Sequence, residues 1–251
     1  MIIPGLVSIT FRKLSVDEVI ELASSCGLRS IEWGADVHVK PDDPAAARGV
    51  GERTRAAGLT VSSYGSYYRA GERPESFDAI LETARSLGAP RIRVWAGRKD
   101  AHLHTSEERC AVTDDLGRIA GLAAMAGIGI ALEFHGGTLT SSAESAAALL
   151  RDLDDMQVKS YWQIRVDATP EEALSDLHLL APWLCHAHVF QWHPGSARHP
   201  LADGADVWPR YLAALAALAR PIHAQLEYVL GDAPAQVRAD AATLRDLISR
   251  V

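Results

Sequence analysis

At 251 residues, 48% hydrophobic and 23% charged, the chain has the size and composition of a folded globular protein and gives no compositional ground for disorder. A formal charge of −7 works against any partner that must be held by its phosphates, which disfavours nucleic acid. Cys26, Cys110 and Cys185 are too few and too scattered for a disulfide framework and fit a reduced, cytoplasmic protein. The start MIIPGLVSITFRK lacks the features of a secretory signal, and the most apolar run, 120–134, is broken by Gly121, Gly127 and Gly129, which argues against a membrane span.

In chain order, residues 5–11 predict a first strand, followed by a helix that Ser15 caps and Gly27 closes. LRSIEW, 28–33, predicts the second strand, with a helix over about 44–57. The third strand is expected over 59–64, ahead of an aromatic loop YGSYYRAG and a helix from about Pro74 to Leu87. RIRVW, 91–95, predicts the fourth strand, and a long helix over 106–126 leads to the fifth in IGIALEFHGGTLT. A helix capped by Ser141 or Ser142 runs to about Asp155. Residues 160–166 then predict the sixth strand, and Thr169 with Pro170 begins the next helix. The seventh strand covers 185–191 and is followed by the longest loop, HPGSARHPLADGADVW. A helix over 208–219, an eighth strand over 221–229 and a closing helix over 234–251 complete the chain.

Eight strands alternating with eight helices, without a linker, predict an α/β fold, a single-domain (β/α)8 TIM barrel over residues 1–251. An open doubly wound sheet lacks the G-x-G-x-x-G turn of its nucleotide-binding form. Barrels of this kind carry their chemistry at the C-terminal strand ends. Polar residues gather there: Glu32, then Glu133 and His135, Gln163, His186 and His188, and Glu227. Alternation sets Ala131, Glu133 and His135 on one face, and a buried carboxylate needs a cationic partner, whether a metal or an arginine such as Arg93 or Arg165. Glu133, Gln163, His188 and Glu227 offer three oxygen donors and one imidazole, a set that suits Mn²⁺ or Mg²⁺, admits Co²⁺ and excludes a thiolate-type zinc site. Asp167 is the rival to Gln163.

Several other side chains are candidates for contact with a substrate. His135 lies above Glu133 toward the mouth, Glu32 and His38 flank it, and Tyr64, Tyr67 and Tyr68 offer an apolar wall. Trp192, Arg198 and His199 stand in the long seventh loop, with Arg198 able to hold an anionic group. Lys99, His102 and His104 are loop candidates that solvation alone would explain, and His186 sits one pleat deeper than His188, as a core histidine would.

GLRSIEW, ALEFHGG, YWQ, HAHVFQW, PLADGADVW and QLEY, in this order over nearly the whole chain, resemble the xylose-isomerase-like barrels, which include sugar and sugar-phosphate isomerases and epimerases and the apurinic-site endonucleases. The resemblance makes Glu133 and Glu227 both carboxylate ligands and acid–base groups, His188 the imidazole ligand and Gln163 the occupant of a position usually held by aspartate. That family often places a histidine three residues after its aspartate, where this chain has Val166.

The activity so implied is isomerisation or epimerisation of a sugar, sugar phosphate or related polyol ketone, by proton transfer at a carbon next to a metal-chelated carbonyl. Dehydration of a cyclic polyol ketone and a degenerate barrel that binds a polyol without turnover are the alternatives. The endonuclease branch needs several more His and Asp ligands than are present. The expected partner is a small sugar or polyol, with neither nucleic acid nor membrane, and a homodimer remains open.

Overall fold

In a computed structural model that describes residues 1–72, 77–192 and 197–251, the β-rich runs of the sequence pair side by side and in parallel until the sheet closes. The barrel strands are β1 (Ile2–Val7), β2 (Ser30–Gly34), β3 (Thr60–Ala70), β4 (Arg91–Ala96), β5 (Gly129–Leu132), β6 (Lys159–Trp162) and β7 (Leu184–Val189). Two short strands, β8 (Gln191–Trp192) and β9 (Arg198–His199), then pair antiparallel above the barrel, and β10 (Ile222–Leu226) completes it. Around the barrel the order is β1-β10-β7-β6-β5-β4-β3-β2. This is the (β/α)8 TIM barrel that the alternation predicts.

The helices are α1 (Val16–Ser25), α2 (Pro44–Ala56), α3 (Phe77–Leu87), α4 (Ser106–Met125), α5 (Ala143–Asp152), α6 (Pro170–Leu180), α7 (Trp208–Ala216) and α8 (Pro234–Ser249). Local sequence accounts for most of their ends. Ser15 with Glu18, Thr105 with Glu108 and Thr169 with Glu172 form complete capping boxes on α1, α4 and α6, while Asp43 and Ser142 cap α2 and α5. Gly127, beyond α4, has φ of 70°, and a Cβ there would meet nothing; backbone conformation alone requires the glycine. Among the described residues no helix is long and apolar enough to cross a membrane.

Several boundaries differ from those expected. The first strand starts at Ile2 and ends at Val7, because Ser8–Phe11 turns into a 3-10 helix in which the Ser8 hydroxyl accepts a hydrogen bond from the Gly34 N–H at 2.9 Å. The third strand takes in the whole aromatic stretch to Ala70, and the sixth stops at Trp162, leaving Gln163 just past its end. α3 is described from Phe77; the expected start at Pro74 and the loop residues His193–Ser196 lie outside the described residues.

The main core lies between barrel and helices, where Trp33, Ile92, Val94, Leu132, Trp162, Val189 and Leu226 are buried. Each such side chain contributes about 1.5–3 kcal/mol relative to exposure. The barrel interior is polar by comparison: Glu32, Arg93, His186, His188 and Gln225 are all buried, and Tyr161 stacks on His186 at a ring separation of 4.3 Å.

Candidate active site

Glu133 directly follows β5, and its position is fixed from both sides. Its N–H donates to the Val94 carbonyl at 3.2 Å, and its carbonyl accepts from the Thr140 hydroxyl at 2.6 Å. Glu227 directly follows β10, with its N–H on the Val189 carbonyl at 3.0 Å. The next residue, Tyr228, adopts a left-handed φ of 48°, and its N–H is held by the Thr10 hydroxyl at 3.2 Å. A tyrosine in that region costs on the order of 1 kcal/mol, so the surrounding contacts hold the turn that aims Glu227.

His188, buried on β7, completes a cluster. One donor atom each from Glu133, His188 and Glu227 lies within 4.8 Å of the others, and His188 Nδ1 is 3.4 Å from both Glu133 Oε1 and Glu227 Oε2. Gln163 donates through Nε2 to the Phe134 carbonyl at 2.9 Å, which fixes the amide and turns Oε1 toward His188 Nδ1, 3.3 Å away. Two carboxylates, one imidazole and an amide oxygen therefore converge, a mainly hard donor set that fits a divalent cation. Asp167 lines the cavity above but does not join the described three-residue cluster.

Arg93 lies beneath this cluster. Its Nε stands 3.0 Å from Glu32 Oε1 in a charge contact, and its Nη1 donates to Glu133 Oε2, as does the indole N–H of Trp95. Burial alone would raise the Glu32 carboxyl, but Arg93 and His188 outweigh it and hold Glu32 well below the usual carboxylate range. Burial likewise works against the Arg93 charge, and Glu32 together with Tyr161 and Glu227 more than restores it. Glu227 differs: burial raises its carboxyl, with His188 and Arg93 only partly opposing.

Above the cluster opens a cavity of about 720 Å³. His135 and Trp192 line it, as their strand-end and loop positions suggest. Tyr64 does not: a bulge opposite Ile31 and Glu32 brings Ser62 and Ser63 both to the interior, so Tyr64 turns outward and its hydroxyl donates to the Val39 carbonyl at 2.8 Å. Tyr68 is likewise turned out to Asp115, and Tyr67 alone of the three reaches the cavity. Glu32 is corrected from mouth to floor, wholly buried, with Ser63 donating to it at 2.8 Å. Arg198 is corrected too. It pairs with Asp232 at 2.5 Å behind Tyr228 and is not among the lining residues.

Trp95, Phe190 and Tyr228 line the cavity, although sequence reasoning did not single them out. Trp95 was findable, since Arg91, Arg93 and Trp95 alternate along RIRVW and must share a face. The motif PLADGADVW also gains a physical reason. Gly204 packs where a Cβ would collide with the Gln191 side chain and the Trp208 ring, and Trp208 Nε1 donates to Gln191 Oε1 at 3.1 Å, locking the seventh loop over the barrel end.

Among solved structures, the chain is similar to a probable 3-DHS dehydratase, AsbF, of Bacillus anthracis (18% identity, 98% and 99% of the two chains, TM-score 0.80). It is also similar to a D-psicose 3-epimerase of Clostridium cellulolyticum H10 (15%, 99% and 98%, 0.71) and to IolI, a protein solved with a zinc atom bound (13%, 98% and 98%, 0.75). At these identities the likeness shows the fold alone. No curated protein matches the sequence. The family described as xylose isomerase-like TIM barrel matches residues 20–247, and with that match spanning most of the barrel, the chain belongs to this family.

Proposed function

We propose that this protein is a divalent-metal-dependent isomerase or epimerase of a sugar, sugar phosphate or related polyol ketone. The observation that carries the proposal is the convergence of Glu133, His188 and Glu227 within 4.8 Å of one another, at the base of a cavity about 720 Å³ in volume. Glu133, Gln163, His188 and Glu227 would hold Mn²⁺ or Mg²⁺, with Co²⁺ a substitute, and the bound cation would supply Lewis acidity toward a carbonyl and its neighbouring hydroxyl. IolI, which shares this fold, was solved with a zinc atom bound, and this supports the metal reading.

The remaining chemistry belongs to the side chains. Glu227 and Glu133, on opposite faces of the bound carbon, remove and return a proton next to the carbonyl; return to the same carbon from the other face gives an epimer, and return to its neighbour gives an isomer. Arg93 and Trp95 fix one oxygen of Glu133, leaving the other to face the metal and the substrate carbon beside it. His135, Trp192 and Tyr67 border the substrate, with Trp95 and His135 in ring contact at 5.7 Å. The test is turnover of a ketose panel in D₂O with Mn²⁺-loaded protein: deuterium wash-in at the carbon next to the carbonyl is expected, and turnover without exchange would sink the proton-transfer route.

One observation favours a second reading. The Tyr67–Trp95 pair stands on β3 and β4, while Phe190, Trp192 and Tyr228 follow β7 and β10 on the opposite side of the barrel. Two facing aromatic walls suit a flat ring, hence dehydration of a cyclic polyol ketone, which an ultraviolet-absorbing enone product would reveal. A protein that retains no Mn²⁺ after dialysis and turns over nothing would instead be a polyol-binding barrel.

A further inference from the structure

The interior cation Arg93 touches a candidate metal ligand directly. Wholly buried, it contacts Glu32 at 3.0 Å on one side and donates to Glu133 Oε2 on the other. Glu32 itself is outside the metal-holding cluster: one oxygen accepts from Ser63 at 2.8 Å, and it lies 3.7 Å from His188 Nε2. The backbone makes room for the pair. At Gly65 on β3 a Cβ would stand 2.9 Å from both Arg93 Nη2 and Glu32 Oε1, so any larger residue would displace it. Glu32, Glu133 and Glu227 carry three formal negative charges, Arg93 removes one, and Gln163 adds none, so the cluster presents −2 to a divalent cation.

We propose that Arg93 is the resident counter-ion of the metal centre, a positioning residue that occupies one oxygen of Glu133, leaves the other for the metal, and restrains the affinity of the cluster for that metal. The inference rests on reading the Glu133–His188–Glu227 cluster as a metal centre. Glu32 then has the complementary role of neutralising Arg93 without ligating. A unit charge within about 4–6 Å shifts a neighbour's ionic equilibrium by about tenfold or more, so loss of either member alters metal binding in a predictable direction.

The test is calorimetric titration of Mn²⁺ alone into chelator-dialysed full-length protein, as wild type, Arg93→Met, Glu32→Gln and the double variant. Arg93→Met is expected to bind about tenfold more tightly, Glu32→Gln about tenfold more weakly, and the double variant within about threefold of wild type, because the pair leaves together. Trp95→Phe, which removes an uncharged donor from the same oxygen, is expected to stay within about threefold of wild type. Equal or weaker binding by Arg93→Met overturns the inference, while wild-type binding upholds the metal centre. If Arg93→Met does not fold, a double variant as weak as Glu32→Gln overturns the inference. Binding by none of the proteins overturns both, and binding by Arg93→Met alone supports the counter-ion and overturns a metal-loaded wild type.

Discussion

Glutamine at position 133 or at position 227 removes a carboxylate from the same cluster with little change of shape, yet the two variants are expected to move stability in opposite directions. At Glu133 the lost charge is the partner of buried Arg93, whose Nη1 and neighbouring Trp95 Nε1 both aim at Oε2. Removing one member of a buried pair costs about 3–5 kcal/mol; Arg93 keeps Glu32, so the lower end, about 3 kcal/mol, applies. In a chain of this length that lowers the melting temperature by roughly 6–12 °C. Among the described residues no arginine or lysine pairs with Glu227, whose neighbour is His188 at 3.4 Å, and burial raises its carboxyl. The folded state then binds that proton more tightly than the unfolded one, so stability is greatest below the unfolded value and declines as pH rises through the raised one. Glutamine removes this burden, and Glu227→Gln is expected to be as stable as wild type at pH 7, or more so. Proton exchange falls in both, by about 10²–10⁴-fold. Thermal and urea unfolding of metal-free protein at pH 7 decides it. A Glu133→Gln variant within about 0.5 kcal/mol of wild type, or a Glu227→Gln variant losing as much, would refute the assignment of Arg93 to Glu133.

Burial lowers the His223 imidazole to about 4, with Arg91 adding to the effect, so its contribution to stability is complete above pH 6.5 and is lost as pH falls toward 4, at up to about 1.4 kcal/mol per pH unit. His186, stacked 4.8 Å from it, is also lowered by burial, so His223→Asn should flatten the acid limb of urea unfolding by about half; an unchanged limb would contradict the burial account. Gly65→Ala places a methyl 2.9 Å from both members of the Arg93–Glu32 pair and is expected to cost about 1–3 kcal/mol in the same assay, against no measurable loss if the pair yields freely. Trp192→Ala removes part of an aromatic wall and should raise KM about tenfold or more with kcat little changed; a fall in kcat alone would move Trp192 from binding to chemistry.

The repeating β/α pattern was legible because each helix carries its own punctuation, such as Thr105 with Glu108 before α4 and Gly127 after it. The cluster was legible because strand parity places Glu133, His188 and Glu227 inward on strands that the barrel brings together. What sequence could not supply was the bulge at Ile31 and Glu32. It reverses parity along β3, sends Tyr64 and Tyr68 outward and leaves Tyr67 facing the cavity. Depth was equally hidden. Glu32 and Glu133 both belong to strand ends in the sequence, but only the stagger of the barrel sets one at the floor and the other beneath the mouth.

The three capping boxes have an electrostatic consequence for the mouth. In this topology every helix begins where a strand has just ended, so the partial positive charges of the helix N-termini form a crown around the cavity rim. Glu18, Glu108 and Glu172 fold back onto three of those termini, and Asp43 closes a fourth. Half of the crown, four of eight termini, is therefore discharged by the chain's own carboxylates before a solute arrives, and its pull on a distant anion is weakened to that extent. Arg12 and Arg165 on the cavity wall likewise bring their own counter-charges, Asp36 and Asp176, so a molecule entering meets cations that the chain has already paired.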